Sequence, residues 1–215
     1  MGKKAYYYNV EHVNETVFYE EVVTPDINHQ FEYVDLGLPS GTLWATCNVG
    51  AMNPEYGGDC FAWGETEAKS YNDWSNYKWA IANDESSYSL TKYGKNDQQT
   101  TLLPEDDAAT VNWGADWRMP TKEEVEELIE QCTRVETVDG VKFTGPNGNS
   151  VFFPFKDKYS ATYWSSSCDK EVAFVMLLNI YAERAAGTFI FHPECEGKNE
   201  ERAYGRYVRA VRSTP

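Results

Sequence analysis

Tyr163-Trp164-Ser165-Ser166-Ser167 opens, and Tyr204-Gly205-Arg206-Tyr207-Val208-Arg209-Ala210-Val211-Arg212 closes, the part of the chain that governs its reading. Both strips look ordered. Between them lie aromatics of the exposed type, lone charges and small residues, with little periodicity and no catalytic spacing. A stretch that is regular at its ends and chemically arbitrary in its middle suits a surface on which only the scaffold is fixed. Such a surface is a binding face and a poor active site. By strand alternation Phe174, Met176 and Leu178 share one side, leaving Val175, Leu177 and Asn179 on the other. Val208 and Ala210 oppose Arg209 and Val211 in a final strand.

Upstream, Thr121 begins the clearest helix. Glu124 stands where a capping box needs it, and Val125, Leu128, Ile129 and Cys132 follow helical spacing, so one face docks on a core. Pro104-Glu105-Asp106-Asp107 reads as the start of another helix, ending at Trp113-Gly114, with acids at the positive end of its dipole. Val141-Lys142-Phe143 and Val151-Phe152-Phe153 flank Gly145-Pro146-Asn147-Gly148-Asn149, a hairpin signal. Val34-Asp35-Leu36 and Thr42 to Val49 read as strands around a Gly-Pro turn. Residues 65–101 read as a long ordered loop pinned by Tyr71, Trp74, Tyr77 and Trp79. The order of elements predicts an α+β fold with modest helix content. Residues 1–30, with Tyr6, Tyr8 and Val10 and then Val17 and Tyr19 alternating before Pro25, form a separate strand or hairpin arm; residues 31–215 form the main domain.

The 215 residues suffice for such a domain, and a hydrophobic content of 41% with 7 Trp, 15 Tyr and 10 Phe marks a folded chain. A net charge of −15 disfavours nucleic acid and anionic membrane surfaces as partners. No apolar run is long enough for a transmembrane helix, and the start lacks the apolar segment of a secretory signal. Five cysteines, Cys47, Cys60, Cys132, Cys168 and Cys195, show no zinc spacing and read as reduced thiols, with a Cys168–Cys195 disulfide as the alternative. His192 has no histidine or carboxylate string around it, and the serines lack a nucleophile elbow. No metal, cofactor or catalytic residue is expected. Of the arginines near the end of the chain, Arg209 reads as a buried structural partner for a carboxylate and Arg206 as a contact for an anionic or polar ligand.

Several strings occur together and in order: Val34-Asp35-Leu36-Gly37-Leu38-Pro39-Ser40-Gly41-Thr42-Leu43-Trp44-Ala45, Phe61-Ala62-Trp63-Gly64-Glu65, Asp116-Trp117-Arg118-Met119-Pro120-Thr121-Lys122-Glu123-Glu124, Tyr163-Trp164-Ser165-Ser166, and Gly205 with Val208-Arg209. From Tyr33 to Arg212 they resemble the C-type-lectin-fold domains of gut Bacteroides and their phages, and most closely the variable proteins diversified by retroelements. The resemblance implies small antiparallel sheets with two helices, and a ligand-facing surface built from the last strands. It implies that Trp164-Ser165-Ser166, Phe174, Met176, Leu178, Gly205, Val208 and Arg209 are frame. The ligand-binding candidates are Tyr163, Ser167, Cys168, Lys170, Val175, Leu177, Asn179, Tyr181, Arg184, Phe191, His192, Glu194, Tyr204, Arg206 and Tyr207.

The function that this resemblance implies is non-enzymatic recognition of a bacterial surface protein or glycan. The protein would be carried on a phage tail, in the cytoplasm before release, or on a cell surface, with oligomerisation through the N-terminal arm. The alternatives are an undiversified bacterial adhesin and an enzyme of the formylglycine-generating kind, whose Arg118-Met119-Pro120-Thr121 string is similar. The Glu-Pro-Asn and Trp-Asn-Asp strings of calcium-dependent lectins are absent, as is the close cysteine pair of the enzymes.

Overall fold

The helix after Thr121 forms as its sequence dictates. In the computed structural model, which describes residues 31–84, 87–95, 97–156, 160–170, 172–185 and 188–213, the Thr121 hydroxyl accepts from the Glu124 amide and the Glu124 carboxylate accepts from the Thr121 amide. For residues 180–185 and 188–194 the description is of backbone alone. The elements in order are β1 (Tyr33–Asp35), β2 (Leu43–Asn48), β3 (Cys60–Phe61), β4 (Ala80–Ala82), β5 (Tyr88–Leu90), a 3-10 turn (Pro104–Asp106), α1 (Ala108–Trp113) and α2 (Lys122–Gln131). Then come β6 (Thr133–Glu136), β7 (Gly140–Thr144), β8 (Ser150–Pro154), β9 (Ser160–Asp169), β10 (Val172–Ala185), β11 (Thr188–Glu201), β12 (Arg206–Tyr207) and β13 (Arg209–Arg212). The fold is mixed α+β, made mostly of small sheets with two α-helices among the described residues. The expected 1–30 arm lies outside the described residues.

A five-stranded sheet, ordered β11-β10-β9-β12-β3, runs through the middle of the molecule. On one side Tyr163, Phe174, Met176, Leu178 and Tyr207 pack with α2 and the β7–β8 hairpin, through Val125, Leu128, Phe143 and Phe153. On the other, Trp164, Ala173 and Val175 pack with Trp63, Tyr93, Ala108, Ala109 and Met119. A second sheet, β1-β2-β13, joins the beginning of the domain to its end, with Val211 opposite Trp44 and Arg212 opposite Leu43. Because both faces of the central sheet are covered, the inside-outside alternation expected for β10 fails at its start: Val175 is as inaccessible as Met176. A register shift between Ala173 and Val175 in the pairing of β10 with β9 accompanies this. The final strand is likewise enclosed on both sides, with Val208, Arg209, Ala210 and Val211 all buried.

Three features differ from the sequence reading. The helix expected from Pro104 to Trp113 is split: a 3-10 turn comes first, and Asp107 then caps a six-residue α1. The 65–101 loop contains a small hairpin, β4–β5. The third is β11, which spans 14 residues despite Pro193, Gly197 and the charges of Glu194, Glu196, Lys198, Glu200 and Glu201. It is an edge strand, so proline and charge on it cost little. Strands β10 and β11 pair along their whole length, whereas β9 pairs with β10 only from Val172 to Asn179. The remainder, 180–185 paired with 188–193, extends past β9 as a two-stranded ribbon.

Candidate ligand-facing surface

The frame beneath the face is held by buried polar side chains bonded to backbone carbonyls. Trp164 donates from Nε1 to the Phe61 carbonyl at 2.8 Å, and Trp63 donates to the Ser165 carbonyl at 2.9 Å. Tyr163 donates to Pro154 at 2.6 Å and Tyr77 to Trp63 at 2.7 Å. Burial pushes both phenols up. After β11 the chain crosses the sheet as Arg202-Ala203-Tyr204-Gly205. Arg202 is fully buried, donates from Nη2 to the Tyr93 carbonyl at 2.7 Å and lies over the Trp63 ring. That anchor fixes the backbone on which Tyr204 stands. A Cβ on Gly205 would lie 2.6 Å from the Asn72 amide nitrogen, so the Asn72 side chain of the long loop packs directly on this crossing.

Above this frame lies a strip of aromatic and charged side chains. Tyr204 is 40% exposed and Tyr71, from the long loop, 65%. The Arg206 guanidinium sits 5.9 Å from the Tyr204 ring and donates to Glu200 at 3.1 Å. Lys198 pairs with the other oxygen of Glu200 at 2.9 Å. Burial raises the Glu200 pKa, but hydrogen bonds from Lys198 and Arg206 outweigh it and hold the carboxyl below its usual value. Trp74 donates to Glu201 at 2.9 Å and stacks on Tyr88, with centroids 5.7 Å apart and planes at 20°. A hydrogen bond to Asp73 raises the Tyr71 pKa, while Ser75 steadies Asp73 through its hydroxyl and amide. The strip offers ring faces, donors and acceptors on a rigid base, an arrangement suited to complementary binding.

The fifteen expected contact residues divide. Tyr204 and Arg206 lie on the strip, and Leu177 and Asn179 are half-buried farther along β10. Ser167 and Lys170 lie apart, near the β9–β10 turn: Ser167 accepts from the Lys122 amide at 3.0 Å and lines a cleft of about 310 Å³ with Thr100, Lys122 and Asp169. Lys170 is exposed with a φ of 53°, as the turn requires. Four placements are corrected. Tyr163 and Val175 lie in the two cores, and Cys168 and Tyr207 are buried at 8% and 7% exposure. Tyr163 and Tyr207 pack ring against ring at 5.6 Å, so the large aromatic at 207 is packing. The misplacement has one cause: a sheet covered on both faces has no outward side along its central strands. For Tyr181, Arg184, Phe191, His192 and Glu194 the backbone register is described, with Tyr181 opposite His192, Ala182 opposite Phe191 and Asn179 opposite Glu194. Their side chains lie outside the described residues.

The sequence pattern does not mark Tyr71, Trp74, Tyr88, Lys198 or Glu200 as contacts. A signal exists in the aromatics of the 65–101 loop, but the role it suggests most simply is that of pins.

Other candidates are structural. Asp107 is buried and accepts from the amides of Ala109, Thr110 and Met119. Asp106, also buried, accepts from Lys92, Lys78 and the Tyr93 hydroxyl; burial pushes its pKa up, and these contacts outweigh burial and lower it. Arg209 is buried and structural, but its partners are Asn48 and the carbonyls of Ala45, Thr46 and Phe152 instead of the expected carboxylate. All five cysteines are free thiols, so Cys168 and Cys195 are not bonded; burial raises the pKa of each. Among the described residues no cluster of three His, Cys, Asp or Glu is placed to hold a metal, and no helix is long and apolar enough to cross a membrane. No protein-family model, curated protein or solved structure matches the chain.

Proposed function

We propose that this protein is a non-enzymatic recognition module on a C-type-lectin-like scaffold, with residues 31–215 as the binding domain. Its ligand is a bacterial surface protein or glycan. The observation that carries the reading is the strip itself. Tyr71 and Tyr204 hold their rings in solvent around an ion-paired Arg206, directly above a crossing segment locked by buried Arg202. Aromatic side chains lose little entropy on contact, and a preorganised base lowers the cost of binding. Diversification by a retroelement and display on a phage tail or cell surface belong to the same proposal. They rest on the framework strings shared with the lectin-fold variable proteins.

The test is a set of single substitutions, Tyr71→Ala, Tyr204→Ala and Arg206→Ala, assayed on a glycan array and against intact gut Bacteroides cells. Capture lost with an unchanged melting temperature supports a recognition strip. Capture retained in all three, or melting lowered equally in all three, refutes it.

A further inference from the structure

The guanidinium of Arg202 is a cation sealed inside the molecule. Its side chain is fully buried, with Cζ 4.9 Å from the centroid of the Trp63 ring. Nη2 donates to the Tyr93 carbonyl at 2.7 Å, whereas Nε and Nη1 are buried and meet no acceptor among the described residues. A carbonyl and a ring face carry no full negative charge, and a buried cation without one is costly. Beside this cation lies the thiol of Cys168, a member of the same apolar cluster as Trp63 and Tyr93. Burial pushes the thiol pKa up, Arg202 is the strongest charge that pulls it back, and Asp97 and Asp169 push it up again. The thiol donates to the Gln99 carbonyl at 3.6 Å, and Cys168 lines the cleft of about 310 Å³ that it shares with Thr100, Lys122 and Asp169. A small solute in that cleft has a route to the sulfur, and an anion formed there has Arg202 at hand.

We propose that Cys168 is a modification site, oxidised by hydrogen peroxide to an acid whose anion pairs with Arg202. The sulfur attacks one peroxide oxygen, and a sulfur–oxygen bond forms as the oxygen–oxygen bond breaks. The leaving hydroxide takes the thiol proton and becomes water. Sulfur loses two electrons to give the sulfenic acid, and one peroxide is reduced. A second peroxide repeats the step and gives the sulfinic acid, which is ionised at neutral pH. The protonated thiol is a slow nucleophile, so the site works by holding the product and not by speed. Oxidation of a buried cysteine ordinarily harms a fold, because it sets a polar group among apolar ones. Here the new charge has the sign that its surroundings lack, and the pair ties β9, which carries Cys168, to the crossing that Arg202 begins.

The test treats the full chain with excess hydrogen peroxide, heats it to its melting midpoint and separates soluble from aggregated protein. Peptide mass mapping then reads each cysteine in both fractions. Cys168 carrying one or two added oxygens should be enriched several-fold in the soluble fraction. Oxidised Cys132, which is buried with Glu127 as its charged neighbour, should be depleted from it. Even partition or depletion of oxidised Cys168 overturns the proposal, as does a Cys168 that stays reduced while Cys60 and Cys195 are oxidised. Cys168→Asp supplies the charge without an oxidant and should melt several degrees above Cys168→Asn; the reverse order also overturns it. Both effects should vanish in an Arg202→Gln background, and their persistence there would overturn the pairing with Arg202.

Discussion

Replacing Arg209 by methionine sets two large effects against each other. The side chain is 1% exposed and its four hydrogen bonds, of 2.7 to 3.0 Å, reach Asn48, Ala45 and Thr46 on β2 and Phe152 on β8. It thereby ties the β1-β2-β13 sheet to the β6-β7-β8 sheet while lying over the Phe153 ring. Burial without a carboxylate among these partners pushes its pKa down to about 10. That depression corresponds to about 3 kcal/mol, recovered when the charge is removed. Against it stand four acceptors that lose a donor, at about 1.5 kcal/mol each. Methionine keeps much of the volume and the contact with Phe153, so the net expectation is a loss of about 3 kcal/mol. Urea unfolding at pH 7, followed by tryptophan fluorescence and far-ultraviolet circular dichroism, should show the midpoint lowered by about 1 M. An unchanged or raised midpoint would mean that the buried charge is a net burden and that the four-way tie does not hold the sheets together.

Asp107→Ala removes the α1 cap and the acceptor for the Met119 amide, and should cost about 2–4 kcal/mol in thermal unfolding. Asp107→Asn keeps an oxygen for the cap and should cost less. Burial raises the Glu124 pKa, but a two-pronged contact with Arg118 and bonds from Thr121 and Thr42 bring it below the unfolded value. A depressed carboxyl contributes stability that is complete above the unfolded pKa of about 4.3 and is lost as pH falls through the folded one. The stability gap between the native protein and Glu124→Gln should therefore narrow below about pH 4; a constant gap from neutral to acid pH would contradict this. Gly145→Ala would place a methyl 2.0 Å from the Leu36 carbonyl oxygen, so its thermal unfolding should show a loss of at least about 2 kcal/mol.

Signals contained within a few residues were legible. Thr121 and Glu124 announce their helix because both partners of the cap lie in one turn, and Gly145 to Asn149 announce the β7–β8 hairpin for the same reason. What depended on distant partners was not legible. Val175 belongs to an alternating pattern, yet its outer side is closed by Trp63 and Ala109, which come from far earlier in the chain. β11 carries no strand pattern, because its β10 partner supplies the ladder and its other edge tolerates charge. The aromatic strip was half legible: Tyr204 and Arg206 belong to the tail, whereas Tyr71 and Trp74 reach it through the long loop, whose Asn72 packs on Gly205.

The pairing of β2 with β13 sets the order in which the molecule can be made. Trp44 meets Val211 across nearly the full length of the domain, and Trp63 and Trp164 wait on partners on opposite sides of the same long gap. Closing such spans is slow, because the entropy of the intervening chain is lost before the contacts return anything. A nascent chain emerging from the ribosome must therefore hold β2 with only β1 beside it until residue 211 is synthesised. For that interval the apolar Leu43 and Trp44 stay open to off-pathway association, which makes co-translational chaperone engagement a requirement to expect when the protein is expressed.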